Sequence, residues 1–279
     1  MSLAGLARRL WAPFAIVLIL LHLAWGLACA SLVFPLLLQP ARNRLLRAWS
    51  RGLLRLLGLR LQVGGRLPDP EVLATGTSAG RVGRIVVANH VSWLDIYAID
   101  AVVPTRFIAK ADILQWPVIG RLVTLVGTLY VERGRRHAVH AINRAVVERL
   151  EAGETIGVYP EGTTTDGTML LPFHANLLQP AVDVHAQVLP VAIRYTAYGR
   201  PTKAAAYIGE MTLVQSLLRV LATPGLAVEV HWLPQVVPHG SNRHALAHDA
   251  SVAIASTLGM APPEPPPSAV AAARARAGR

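Results

Sequence analysis

Residues 84–95, Arg84-Ile85-Val86-Val87-Ala88-Asn89-His90-Val91-Ser92-Trp93-Leu94-Asp95, decide how this chain is read. Ile85 to Ala88 form an unbroken apolar, β-branched run, the pattern of a strand covered on both faces. Polar residues begin abruptly at Asn89, and the apolar spacing from residue 93 to 102 predicts a helix. Strand, polar turn and helix make the repeating unit of a largely parallel sheet, whose clefts open beyond the carboxyl ends of its strands. His90 falls at such an end. His90 and Asp95, five residues apart, would stand about 140° apart on one regular helix and would not meet. With His90 in the turn and Asp95 in the first helical turn, the carboxylate reaches the imidazole. That contact fixes the tautomer and leaves the other ring nitrogen to accept a proton. Ser92-x-x-Asp95 also matches a capping box, in which the carboxylate only satisfies a backbone N–H. Spacing alone leaves both readings open.

The same grammar recurs outward from this point. A strand over 155–159 leads into Pro160-Glu161-Gly162-Thr163-Thr164-Thr165-Asp166-Gly167. Its glycine lets backbone approach a ligand closely; a plain polar turn is the alternative. Gly127-Thr128-Leu129-Tyr130-Val131-Glu132-Arg133 places Arg133 just past another strand, where a guanidinium suits bidentate phosphate binding, or is simply a solvated arginine. Further strands are predicted over 105–109, 128–131, 187–194, 204–208 and 226–232. Helices are predicted over 117–126, 136–151, 174–184, 214–221 and 242–258, and residues 64–80 read as loop. The expectation is an α/β fold, a largely parallel sheet covered by helices.

From Leu10 to Leu38 no residue is formally charged, and about 20 apolar residues span a bilayer. This segment is expected to anchor the chain as one spanning helix or as an in-plane hairpin bending at Gly26 or 28–31. A cleaved signal peptide, with Ala28-Cys29-Ala30 as its cleavage site, is the rival. Against it, the apolar run continues to Leu38 and the arginines beyond outnumber Arg8 and Arg9; positive flanks stay cytoplasmic. Over 41–57, Arg44, Arg47, Arg51 and Arg55 recur at helical spacing beside Leu45, Leu46, Trp49 and Leu53, as in a helix lying at the headgroup boundary. An ordinary amphipathic surface helix is the alternative. The chain therefore divides into a membrane anchor with a basic helix (1–62), an α/β domain (63–260) and a Pro/Ala/Arg tail (261–279) too poor in core residues to fold.

Composition agrees with a membrane setting. Only 15% of the 279 residues are charged, against about 25% in soluble domains. The formal net charge of +11 favours anionic partners, and its arginines crowd around the apolar segment, so an anionic membrane surface is expected rather than nucleic acid. The single cysteine, Cys29, excludes an intramolecular disulfide and any cysteine-based zinc site; no metal is expected.

Asn89-His90 with Asp95, Gly127 to Arg133, Pro160-Glu161-Gly162-Thr163 and Leu189-Pro190-Val191 resemble, in order and spacing, the blocks of the glycerolipid acyltransferases. The chain looks like a bacterial 1-acylglycerol-3-phosphate acyltransferase over roughly residues 80–200, with Lys110 and Pro117 to Gly120 similar to the intervening segment. The resemblance implies a sheet-based αβ acyltransferase domain, His90 as base and Asp95 as its orienting partner. It implies substrate contact by Arg133, Glu161 and Gly162, with Asn89, Ser92, Thr163 and Thr164 beside them. No cofactor is implied; acyl-CoA or acyl-carrier protein is the expected co-substrate, and 1-acyl-sn-glycerol-3-phosphate the expected lysolipid acceptor at the cytoplasmic face of the inner membrane. One position departs. Many phosphate-acceptor members carry arginine where this chain has Thr164, and Glu-Gly-Thr-Thr-Thr-Asp-Gly is similar to members that acylate lyso-ornithine lipid. Thr164 supplies no cationic fork. The alternatives from other classes are a non-catalytic basic membrane-binding protein and a metal-dependent lipid hydrolase.

Overall fold

Every residue of the strand Arg84–Ala88 is buried, and its side chains alternate between two hydrophobic cores. Val86 and Ala88 enter one core, Ile85 and Val87 the other. With helices on both sides the strand needs no polar face, hence its continuous apolar sequence. The computed structural model describes residues 3–77, 82–116, 118–131, 136–237 and 242–264. In chain order its elements are α1 (Leu3–Ala28), α2 (Gln39–Leu56), β1 (Arg60–Gly65), α3 (Pro70–Thr75), β2 (Arg84–Ala88), α4 (Leu94–Asp100), β3 (Arg106–Lys110), α5 (Ile119–Leu125), β4 (Leu129–Val131), α6 (Arg136–Glu151) and β5 (Thr155–Val158). They continue with α7 (Gln179–Asp183), β6 (Gln187–Ala197), β7 (Arg200–Pro201), α8 (Leu213–Ala222), β8 (Leu226–Trp232) and α9 (Arg243–Leu258).

The sheet order is β1-β8-β6-β2-β5-β3-β4, with β7 paired to β6. From β6 to β4 all pairings are parallel, so five carboxyl ends share one edge. β8 and β7 run antiparallel to β6, and β1 follows β8. Helices α1, α2, α4 and α8 supply the core on one face; α6, α7 and α9 supply the other. The largely parallel, helix-covered sheet is as expected.

The N-terminal segment folds as a hairpin. α1 runs into a π-helical turn (Cys29–Val33) and a 3-10 turn (Phe34–Leu36), and extended Leu37 and Leu38 redirect the chain into α2. Ala15, Ile19, Ala30 and Phe34 join the same buried core as the sheet, whereas Phe14, Val17, Leu20, Leu21, Leu32 and Leu36 project outward. The stretch Pro13–Leu36 is long and apolar enough to cross a bilayer, with a mean hydropathy of 2.4 and only 17% of its most apolar window buried. Gly26 is not the bend: it lies inside α1, where a Cβ would stand 2.4 Å from the Trp49 Nε1 of α2. It is the point where the two helices approach. Trp49 stacks on His22 with ring centroids 4.9 Å apart and donates Nε1–H to the His22 carbonyl at 3.1 Å.

Three expectations are corrected. Two of the α2 arginines are not at a lipid boundary. Arg47 donates to the Leu73 carbonyl in the last turn of α3, and Arg51 to the Ala101 carbonyl at the end of α4, where cations satisfy orphan carbonyls and the helix dipole. Arg44 and Arg55 remain exposed. Residues 204–208 form a loop rather than a strand, because Tyr207 N–H goes to the Val91 carbonyl and the Tyr207 carbonyl accepts from Thr164; buried Ala205 and Ala206 are small enough to let the loop lie flat. Residues 60–65, which run past the expected boundary at 62, form edge strand β1, and α3 interrupts the expected loop. β1 pairs on one side only and is half exposed, so its sequence lacks a buried pattern. The tail from residue 265 lies outside the described residues.

Trp49 packs against His22 of α1 and, edge-on at 5.7 Å, against Tyr97 of α4, so it joins the hairpin to the domain. Trp49→Ala is expected to cost about 3 kcal/mol and to lower the thermal midpoint in detergent, followed by circular dichroism. An unchanged midpoint would mean that the hairpin is not docked through this residue.

Candidate functional site

The turn after β2 is organised by one buried carboxylate. Asp95 is fully buried in the first turn of α4, and its Oδ2 accepts from His90 Nδ1 (2.8 Å), Val91 N–H (2.7 Å) and Ser92 N–H (2.9 Å). Oδ1 accepts the Tyr195 hydroxyl from β6 at 2.7 Å. An ionised carboxylate only accepts, so Nδ1 carries the hydrogen and Nε2 of His90 is left with its lone pair. Both readings of Ser92-x-x-Asp95 therefore hold together: the same oxygen closes the backbone cap and orients the imidazole. The Ser92 hydroxyl accepts from Leu94 N–H at 3.3 Å and is buried.

The second loop is stitched to His90 itself. Glu161 Oε1 accepts His90 N–H at 2.7 Å, and Thr165 N–H returns to the His90 carbonyl at 2.8 Å. Glu161 Oε2 accepts Leu171 N–H at 2.9 Å. Burial pushes the Glu161 carboxyl up to about 7, an effect only partly offset by its two backbone N–H donors and reinforced by nearby Asp95. Gly162 sits at φ +71°, and a Cβ there would crowd His174 at 3.2 Å, so this turn needs glycine. Thr163 is exposed, and the Thr164 hydroxyl is taken by the Tyr207 carbonyl. Asn89 is committed elsewhere: its amide exchanges two hydrogen bonds with Ile193 of β6, at 2.8 and 2.9 Å. Arg133 lies outside the described residues. Lys110, at the carboxyl end of β3, is exposed on the same sheet edge.

Four residues escaped sequence reasoning. Tyr195 is 100 positions from Asp95 and is brought to it only by β6 lying beside β2. Tyr159, next to the quoted Pro160, stacks on the His90 ring at 4.0 Å and 12°, and Phe107 stacks on Tyr159 at 5.5 Å and 7°. Lys203 reaches the second loop, pairing with Asp166 at 2.6 Å.

Phe107 also lines a cavity between the hairpin and the domain, with about 900 Å³ of empty space partly open to solvent. Its walls are mostly apolar: Trp25, Phe34, Leu45, Trp49, Ile96, Tyr97, Ile113, Leu122 and Val126 contribute. Asp100, Thr105 and Arg106 supply polar atoms; burial pushes the Asp100 carboxyl well above the usual range, although Thr105 N–H donates to it at 2.8 Å. Among the described residues no group of three or more His, Cys, Asp or Glu side chains is placed to hold a metal ion.

An imidazole tied to a buried carboxylate, at the carboxyl edge of a parallel sheet and linked through the stacked rings of Tyr159 and Phe107 to an apolar cavity, defines a class: base-assisted group transfer on a lipid-like substrate. Comparison with known proteins gives the particular family. Residues 70–194 match the family model described as Acyltransferase. The chain is 39% identical over 194 residues to a 1-acyl-sn-glycerol-3-phosphate acyltransferase of Neisseria gonorrhoeae, covering 69% of this chain and 72% of that one. It is 35% identical over 219 residues to a lyso-ornithine lipid O-acyltransferase of Pseudomonas aeruginosa, covering 78% and 80%. The crystal structure of the 1-acyl-sn-glycerophosphate acyltransferase PlsC from Thermotoga maritima shares the fold, with a TM-score of 0.63 and 23% identity over 90% of this chain and 96% of that one. The chain belongs to the acyltransferase family and is an acyltransferase.

Glu161 gives the site a measurable signature. Its folded-state carboxyl lies at about 7, above the ordinary 4.5, so the folded protein binds the extra proton between those values. Its contribution to stability therefore falls as pH rises from about 4.5 to about 7. Unfolding titrations at pH 5 and pH 7.5 should show that decline in the wild type and a smaller one in Glu161→Gln; identical slopes would contradict the assignment.

Proposed function

We propose that this chain transfers a fatty acyl group from a thioester donor, acyl-CoA or acyl-carrier protein, to the free hydroxyl of a lysolipid. The observation that carries this reading is the 2.8 Å contact between His90 Nδ1 and Asp95 Oδ2, with Tyr159 and Phe107 stacked between the imidazole and the apolar cavity. Nε2 of His90 takes the proton of the acceptor hydroxyl as its oxygen attacks the thioester carbonyl. The new C–O ester bond forms and the C–S bond breaks. The departing thiolate is then protonated from the imidazolium, whose charge Asp95 stabilises meanwhile. No covalent acyl-enzyme is needed, and Ser92, with its hydroxyl turned to the backbone of α4, serves as a structural residue.

Asn89 and Glu161 act in this scheme as positioning residues, since their polar atoms are occupied by Ile193 and by the backbone amides of His90 and Leu171. The apolar walls of the cavity suit an acyl chain. On this reading the hairpin meets the cytoplasmic face of the inner membrane, with the exposed Arg44 and Arg55 available to anionic headgroups. Relatives are named for two acceptors, 1-acyl-sn-glycerol-3-phosphate and lyso-ornithine lipid. The first is favoured by Lys110 on the sheet edge and by Arg133. The second is favoured by Thr164, a hydroxyl already bonded to Tyr207.

His90→Ala should lower acyl transfer at least about 10³-fold, and Asp95→Asn about 10²–10⁴-fold, with circular dichroism unchanged for His90→Ala. Purified protein, acyl-CoA or acyl-carrier protein and each of the two lysolipids provide the assay. Retained transfer by a folded His90→Ala protein would defeat the base assignment.

A further inference from the structure

The rim of the site carries an ion pair that nothing in the mechanism uses. The loops 159–171 and 202–212 flank the His90 turn, and their charged side chains are Glu161, Asp166, Lys203 and Glu210. Glu161 is buried with both oxygens on backbone amides, and Glu210 is exposed. Lys203 and Asp166 instead meet each other across the two loops, Nζ to Oδ2 at 2.6 Å, with side chains 58% and 24% exposed.

The pair is built rather than casual. Asp166 Oδ1 accepts both the N–H and the hydroxyl of Thr168, at 3.0 and 2.5 Å, which turns Oδ2 toward Lys203. Both loops are fastened to the reactive turn within a residue of His90: Thr165 N–H to the His90 carbonyl at 2.8 Å, and Tyr207 N–H to the Val91 carbonyl at 2.9 Å. The Thr164 hydroxyl ties the two loops together at Tyr207. The two loops fastened to the turn that presents His90 thus carry a fixed cation beside a fixed anion, with two of the three ammonium hydrogens of Lys203 still to be used.

We infer that Lys203 and Asp166 form a head-group site for a zwitterionic lysolipid, one whose head group carries an ammonium and a carboxylate. The ligand's carboxylate lies against Lys203 and its ammonium against Asp166, so the ammonium offsets the repulsion between the two carboxylates. A phosphate placed on Lys203 would share its cation with Asp166 and sit next to that carboxylate with no ammonium to offset it. Opposed like charges are the usual way a site rejects a competing ligand. Among the two acceptors considered above, the pair thus selects the amino-acid lipid, an assignment that rests on the O-acyl transfer already proposed.

The test compares wild type, Asp166→Asn and Lys203→Gln in mixed micelles, with one acyl thioester donor and two acceptors, lyso-ornithine lipid and 1-acyl-sn-glycerol-3-phosphate. Asp166→Asn keeps an oxygen for Thr168 and so preserves the loop. It is expected to raise KM for lyso-ornithine lipid about 10-fold, hold kcat within about 2-fold, and leave or lower KM for the phosphate acceptor. Lys203→Gln is expected to raise KM for both. Equal effects of Asp166→Asn on both acceptors, or none on either, would overturn the pair's role, as would a wild type that uses only the phosphate acceptor; in each case acyl transfer itself stands. Turnover of neither acceptor would remove the underlying reading instead, and this one with it.

Discussion

A carboxylate with no access to solvent has to find all its partners within the protein, and in this chain Asp95 finds four. Three come from its own turn, the imidazole of His90 and the amides of Val91 and Ser92; the fourth is Tyr195 from the neighbouring strand. Leaving a buried charge of this kind unpaired costs several kcal/mol, so the turn has one conformation that satisfies it. That conformation holds the His90 ring with Nδ1 inward. Tyr159 packs flat against one face of the ring, 4.0 Å away. The reactive geometry is thus a consequence of hiding a charge, and it is complete before any substrate arrives.

The rest of the site is hung on the same residue. His90 gives its N–H to Glu161 and its carbonyl to Thr165, while Val91 accepts from Tyr207. Three loops from distant parts of the sequence are therefore locked to a single turn by backbone bonds, and Asn89 ties that turn to Ile193 of β6. On the other side of Tyr159, Phe107 begins the apolar cavity that the N-terminal hairpin roofs. Ala15, Ile19, Ala30 and Phe34 share one core with the sheet, so the exposed apolar face of α1 and the apolar cavity belong to the same packed unit.

The parts that local sequence could announce were legible. The buried run 84–88, its polar break at His90 and the five-residue offset to Asp95 are all written within twelve positions, and strand–helix alternation gave the parallel sheet. What was not legible depends on distance or on competition for backbone groups. Tyr195 meets Asp95 only because β6 neighbours β2, which no spacing reveals. Residues 204–208 look like a strand until Val91 and Thr164 claim the bonds of Tyr207. Arg47 and Arg51 carry the pattern of a headgroup-facing stripe, yet they cap α3 and α4, because orphan carbonyls at buried helix ends are satisfied first. Gly26, read as a bend, is space for Trp49.

The proposed chemistry depends on which nitrogen of His90 carries the hydrogen. Protein labelled with ¹⁵N-histidine, in detergent near pH 8, allows the ring nitrogens of His90 to be identified by long-range proton–nitrogen correlation against the His90→Gln protein. The expected result is a protonated Nδ1 and a bare Nε2, changing when Asp95 becomes Asn. A neutral ring protonated at Nε2, or one indifferent to Asp95→Asn, would contradict it.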